Sequence, residues 1–408
     1  MGRLPDGQWQ KEVFMKIFVG LDVAKDLHWA YVIDSDAKPV LSHSVANDPD
    51  QIAALITEIE ALGADEVTVA LDLLGGTATL LCAMIAEAGL RLVHTPGLSV
   101  NRARQGMRGG ENKSDPRDAA TIAELARTRP DLRPVETERE IDVDIRLLVG
   151  RRSEIVRDQT RRLGRLRDLL SSLFPAFERQ IDVKTKTGLT FLSHFAAPHE
   201  LRTARAARIA RKLMRSSPHL RGVLQLAEEA IMLAKAQSLD VPGATTRARL
   251  IKELAAEALA ARQARDRIDS DIAELLARHP DAALVQSLPG MGVVMTAELI
   301  AHIGDIRRFR SADALAAAAG LTPVLRQSGK SYAIRRATSG DKALKRVFFQ
   351  SAFAALSHPG SKAFYNRKRT EGKRHSQALI ALARRRINVI WAMLNSRQPF
   401  VENFKNVA

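Results

Sequence analysis

Cysteine occurs once in 408 residues. This excludes a disulfide framework and any cysteine-based zinc cluster. The one thiol, Cys82, sits in LLCAMI and reads as a small buried hydrophobe. Aromatic residues are scarce, with three Trp and three Tyr, so base stacking is a poor candidate for the main mode of any nucleic-acid contact. No stretch reaches the ~18 consecutive apolar residues of a membrane span, and the first fifteen residues lack the apolar core of a signal peptide. A reduced, cytoplasmic setting without membrane partners is expected. No internal repeat is visible.

What is present is a chain with 46% hydrophobic residues, long enough for two or three domains, and a lopsided charge. The net charge is +16. Residues 1–135 hold 14 Lys/Arg against 19 Asp/Glu, a net −5, so 136–408 carry +21. The segment 326–408 alone holds 18 against 3. Such a basic block suits a polyphosphate partner, or else forms a solvated face.

Two apolar runs in 16–34 flank the turn-like AKD and predict a hairpin. A helix is expected over 51–62, a strand over 66–72, a helix over 77–89 ended by Gly89, and a strand over 91–96. That alternation indicates an α/β layer with a partly parallel sheet. The Gly-rich GMRGGENK leads into a helix with Ser114 as N-cap. From 136 to 280 nearly all is helical. Segments 146–174 and 244–279 carry apolar seams suited to an antiparallel or intersubunit coiled coil. Shorter helices broken at Pro198 and Pro218 lie between them. A compact helical region follows at 281–397. The expected division is a 1–15 extension, then 16–135, 136–280, 281–397 and a 398–408 tail.

Asp22 and Asp72 each close an apolar strand, where open α/β sheets bind ligands. Asp115 and Asp118 stand three apart at a helix start and can share a face. Together these four carboxylates would suit hard divalent cations such as Mg²⁺. Taken singly, each has a plainer role as a turn, cap or dipole-complementing residue. Further on, the Pro-Gly-x-Gly turn in 287–309, with Gly290 and Gly292, suits a helix–hairpin–helix grip on phosphate or a structural αα turn. GLTPVLRQSGKS is expected as a loop, with Ser328 beside Gly329 and Lys330.

GLDVAKD, ALDLLGG and NRARQGMRGGENKSDPRDA resemble the DEDD transposases of the insertion sequence 110 family, which also includes pilin-gene invertases. AGLTP followed by QSG and a basic stretch reaching Gly340 resembles that family's C-terminal domain. The resemblance implies a ribonuclease-H-like, RuvC-like N-terminal domain, with Asp22, Asp72, Asp115 and Asp118 in the four metal-ligand places. The second place is typically Glu, and here it is Asp72. It implies Mg²⁺, with Mn²⁺ able to substitute, and Ser328 as nucleophile. The composite site would join two protomers of a homo-oligomer, with a phosphoserine intermediate. Arg335 and Arg336 would offset phosphate charge or hold backbone. It further implies DNA as substrate, at the nucleoid, and a structured noncoding guide RNA. Competing readings are a RuvC-like nuclease acting by hydrolysis, a noncatalytic nucleic-acid scaffold and, on GLDVAK, an actin-like ATPase.

Overall fold

The computed structural model describes residues 14–107, 109–132, 134–135, 139–329 and 331–402. The chain divides into two compact units, Met1–Thr137 and Glu138–Ala408.

The first unit is built on a five-stranded mixed sheet of order β3-β2-β1-β4-β5. Its strands are β1 (Lys16–Asp22), β2 (Leu27–Asp34), β3 (Pro39–Ala46), β4 (Glu66–Leu71) and β5 (Arg91–His94). β1 pairs antiparallel with β2 and parallel with β4, and β4 pairs parallel with β5. The expected hairpin, both later strands and the partly parallel sheet are present. The edge strand β3 was not anticipated.

Period-two alternation gives the sheet two apolar faces. Ile17, Val19 and Leu21 pack on one face against Ile52, Leu55 and Ile59 of α1 (Pro49–Ala61) and Leu81 and Ile85 of α2 (Thr79–Glu87). The opposite face, with Ala70 and Val93, is covered by Val100 of α3 (Gly97–Gly106) and Ile122 and Ala126 of α4 (Asp115–Thr128). Helix α3 is a second element absent from the sequence reading.

The second unit opens with a helical hairpin, α5 (Glu140–Leu173), joined by α6 (Pro175–Gln180), α7 (Lys186–His194), α8 (Pro198–Leu201), α9 (Ala206–Ser216) and α10 (Val223–Ala236) to α11 (Ala244–Arg278). Ion pairs Arg152–Asp269 and Arg162–Glu257 lock α5 antiparallel to α11. The antiparallel alternative therefore holds within one chain. The short helices seal one end of this hairpin with a Phe-rich core including Phe174, Phe177 and Phe191. Pro198 opens α8 at its first turn rather than breaking a helix.

The remaining elements are α12 (Ala282–Ser287), α13 (Val293–Ile303), α14 (Ala312–Ala318), a β6 (Val324–Ser328)/β7 (Ser331–Arg335) ribbon, α15 (Lys342–Ala354), α16 (Pro359–Thr370) and α17 (His375–Ser396). Leu315, Phe348, Leu382 and Ile390 centre their core. No helix of the described residues is long and apolar enough to cross a membrane.

Candidate active site

In the first unit the parallel register aligns Leu21 with Leu71. Asp22, the last residue of β1, and Asp72, one past β4, therefore stand side by side at the carboxyl edge of the sheet. Alternation turns both toward the face covered by α4. That helix lies almost on the backbone of β1. A Cβ on Gly20 would sit 2.0 Å from the Ala119 carbonyl oxygen and 2.4 Å from the Ala123 nitrogen, so only glycine admits the crossing. The approach brings the first turn of α4, with Asp115 exposed and Asp118 buried, over the same edge. Ser114 is the N-cap residue, but its side chain makes no capping bond.

The carboxylates feel one another. Asp22 is pushed up to about 6, by burial first and then by the charges of Asp72, Asp118 and Asp115. Asp72 is also raised, chiefly by burial. Its Oδ1 is buried with no hydrogen-bond partner among the described residues, and its Oδ2 lies near the first residue of α3, 3.7 Å from where a Cβ on Gly97 would stand. His94 Nε2 lies 3.1 Å from the Asp72 carbonyl oxygen.

Arg104 of α3 is a member of the site that the sequence did not single out. It is buried, its Nε lies 2.9 Å from Asp118 Oδ1, and its Nη1 and Nη2 donate to the Gly110 and Asn112 carbonyls and to Asn101 Oδ1. It binds the Gly-rich loop, α3 and α4 into one body. Only its place in NRARQGMRGG hinted at a role.

An all-oxygen, partly orphaned donor set fits a hard divalent cation in chemistry. The geometry is open rather than closed. Among the described residues no three acidic or imidazole side chains converge closely enough to hold a metal ion, and Arg104 engages Asp118.

In the second unit, the expected serine loop is instead an antiparallel ribbon. Ser328 closes β6, Ser331 opens β7 opposite it, and Gly329 at φ +53° forms half of the two-residue turn. Lys330, the other half, lies outside the described residues. Ser328 is exposed. The pairs Ser328↔Ser331, Arg326↔Ala333 and Val324↔Arg335 alternate with Gln327↔Tyr332 and Leu325↔Ile334. Directly opposed residues share a face, so Ser328, Arg326 and Arg335 lie on one side and Leu325, Tyr332 and Ile334 on the other. The base of the ribbon is clamped where Gly320 meets Gly340 (φ +101°); a Cβ on Gly340 would come within 2.6 Å of the Gly320 nitrogen. Arg336, just beyond β7, is exposed and lies near enough to Lys345 to lower that amine, after burial, below its usual range.

The Pro289–Gly292 turn connects α12 to α13. Gly290 (φ +82°) packs on the end of α15; a Cβ there would meet the Ser351 carbonyl oxygen at 2.8 Å. This position has a packing reason to be glycine. Gly292 is exposed at the N-terminus of α13, and a Cβ there would meet nothing.

Comparison with known proteins gives two family matches, the first of which runs past Thr137 into the second unit. Residues 19–175 match a transposase family of the DEDD type, and residues 282–366 match the transposase IS116/IS110/IS902 family. The chain is 40% identical to the uncharacterized 42 kDa protein of insertion element IS900 from Mycobacterium paratuberculosis, across 94% of this chain and 97% of the relative. It is 37% identical to the 44.8 kDa protein of insertion element IS116 from Streptomyces clavuligerus, across 94% and 96%. To the 43.6 kDa protein of insertion element IS110 from Streptomyces coelicolor it is 33% identical, across 93% and 94%. These are insertion-element proteins of full matching length. The chain belongs to the IS110 family of transposases, enzymes of DNA recombination.

Proposed function

We propose that this transposase cuts and rejoins DNA through a covalent phosphoserine at Ser328. The observation that carries the reading is the ribbon: an exposed serine at its tip, on the same face as two arginines, within the segment that matches the transposase family. The Ser328 Oγ–P bond forms as the bond from phosphorus to the 3′ oxygen breaks. The hydroxyl proton passes by way of solvent to that 3′ oxygen, leaving a free 3′ hydroxyl. The phosphodiester's energy is kept in the phosphoserine, so the reverse attack by another 3′ hydroxyl needs no nucleotide cofactor. Arg335 and Arg336 offset the charge that gathers on the phosphate, and Lys330 follows the serine closely in sequence. Gly292, at the open N-terminus of α13, offers backbone N–H groups to a flanking phosphate. Gly290 shapes that turn.

The strand order 3-2-1-4-5, with Asp22 and Asp72 on neighbouring strand ends, supports a ribonuclease-H-like, RuvC-like first unit. Asp22, Asp72, Asp115 and Asp118 would hold Mg²⁺, or Mn²⁺ in its place, which when bound would draw charge off the scissile phosphate. Arg104 would then give up Asp118 and keep the Gly-rich loop in place through its other bonds. The carboxylates of one protomer would serve the serine of another, which makes the working form a homo-oligomer. A structured noncoding RNA would select the DNA by base pairing. The charge of residues 326–408 supports an RNA partner as well as DNA.

The test is a denaturing gel of protein incubated with Mg²⁺ and element-end DNA. Wild type should show a protein–DNA adduct, and Ser328→Ala should lose it while keeping DNA affinity. Cleavage by Ser328→Ala without any adduct would instead mean hydrolysis by the carboxylate site.

A further inference from the structure

The second unit contains another cationic site, built from residues that the serine chemistry does not use. Arg386 of α17 is only 4% exposed. Its Nε donates to Ser351 Oγ at 2.7 Å and its Nη2 to the Pro289 carbonyl at 2.6 Å. Among the described residues no carboxylate pairs with it. Arginine this deeply buried is ordinarily matched by an anion, and burial pushes this one down to about 10.

Arg386 and the exposed Arg385 line a cavity of about 310 Å³. Ser361 contributes to its wall from the first turn of α16. The first N–H groups of a helix lack intrahelical acceptors, and the dipole favours an anion there. Arg385 rests on the Phe364 ring at 5.1 Å, and among the described residues no carboxylate pairs with it. Leu382, Val389 and Met393 form an apolar side of the wall, and His358, Asn388 and Glu402 are its other polar members. The cavity thus has one cationic end and one greasy side.

The chain covers this cavity with its own segment. After α17 the backbone turns back, and the Phe400 N–H donates to Ser287 Oγ at 2.8 Å. The Phe400 ring meets His358 edge-on at 6.1 Å, and a Glu402 carboxylate oxygen lies 3.4 Å from His358 Nε2. A flat apolar ring and an anion two residues away reproduce the two halves of a nucleotide.

We infer that this cavity takes one nucleotide unit of a nucleic-acid strand, with its phosphate at Arg385, Arg386 and the first turn of α16 and its sugar or base on the apolar wall, displacing Phe400–Glu402. A strand suits the site better than a free nucleotide because Arg367 and Lys368 lie over the same Phe364 ring as Arg385 and extend the cationic surface along α16, with Glu371 offsetting one of their charges. The assignment does not depend on Ser328, since it concerns binding alone.

The experiment measures anisotropy of a labelled 12-nucleotide single strand with the full-length chain over a range of KCl concentrations. Arg385→Gln should weaken binding about tenfold and reduce the log–log salt slope by about 0.7. Glu402→Gln should tighten binding a few-fold, and Glu274→Gln, the same charge change at an exposed position on α11, should not. Unchanged affinity and slope for Arg385→Gln overturns the inference, and so does an equal effect of the two Glu variants, which would mean diffuse charge. Arg385-dependent binding of AMP, with strand affinity and salt slope untouched by Arg385→Gln, would assign the cavity to free nucleotide and contradict the strand.

Discussion

Replacing Asp22 by Asn should stabilise the metal-free first unit at neutral pH. The folded carboxyl is held at about 6 instead of 3.8. At 1.36 kcal/mol per pH unit, keeping it ionised at pH 7.5 costs the fold about 3 kcal/mol. The group is only half-buried, and water screening reduces this to roughly 1–1.5 kcal/mol. The sign follows from linkage. Between the unfolded value and about 6 the native state binds more protons than the unfolded state, so stability falls as pH rises through that window and the penalty is complete above it. Asn is near-isosteric and carries no charge, so the gain should be full at pH 7.5, about half as large at pH 5 and small near pH 3.5. For a unit of this size it corresponds to a rise in Tm of about 4–6 °C. Hydrogen exchange of the β1 and β4 amides, read in EDTA, reports this unit separately from the helical one. Adding Mg²⁺ should then slow exchange in wild type and not in the variant. Equal gains at about pH 3.5 and at pH 7.5, or a loss at pH 7.5, would refute the electrostatic origin.

Gly20→Ala should destabilise the first unit by at least about 3 kcal/mol, because its methyl would collide with α4 backbone; loss of protection in β1 with an intact second-unit helical signal would confirm it. Asp72→Ala should abolish DNA cleavage and Asp72→Glu should retain part of it, whereas full activity of Asp72→Asn in a cleavage assay would reduce this residue to a cap. The purified protein should carry one structured RNA enriched from beside its gene; sequencing of nuclease-protected material that returns only random cellular RNA would leave electrostatic binding alone.

The parts legible in sequence were those written in local periodicity. KIFVGLD and EVTVALD announced strands ending in acids, and the parallel pairing of those strands placed Asp22 beside Asp72. The two long seams announced α5 and α11. Elements held by distant partners were not legible. β3, PVLSHSVA, is an edge strand in which Val45 alone is buried, and His43 stands at the inward position between Leu41 and Val45, which breaks the apolar alternation in the sequence. Helix α3, GLSVNRARQG, buries only Val100 and Arg104, so it shows no apolar stripe. The Arg104–Asp118 pair spans a loop whose path no local pattern dictates. The serine ribbon was hidden by its own exposure, since every residue of β6 is exposed. Leu325, Tyr332 and Ile334 alternate correctly around Gly329, but LTPVLRQSGKS reads as polar loop when no core face orders it.

The most direct measurement of the central claim is to locate the covalent bond. Wild-type protein is trapped with element-end DNA and Mg²⁺, digested with nuclease and trypsin, and analysed by mass spectrometry. Cleavage after Arg326 and Lys330 isolates Gln327–Lys330, in which Ser328 is the only hydroxyl. A nucleotide remnant on that peptide is the result expected. A remnant on any other peptide, or DNA cleaved with no remnant at all, would contradict a phosphoserine at Ser328.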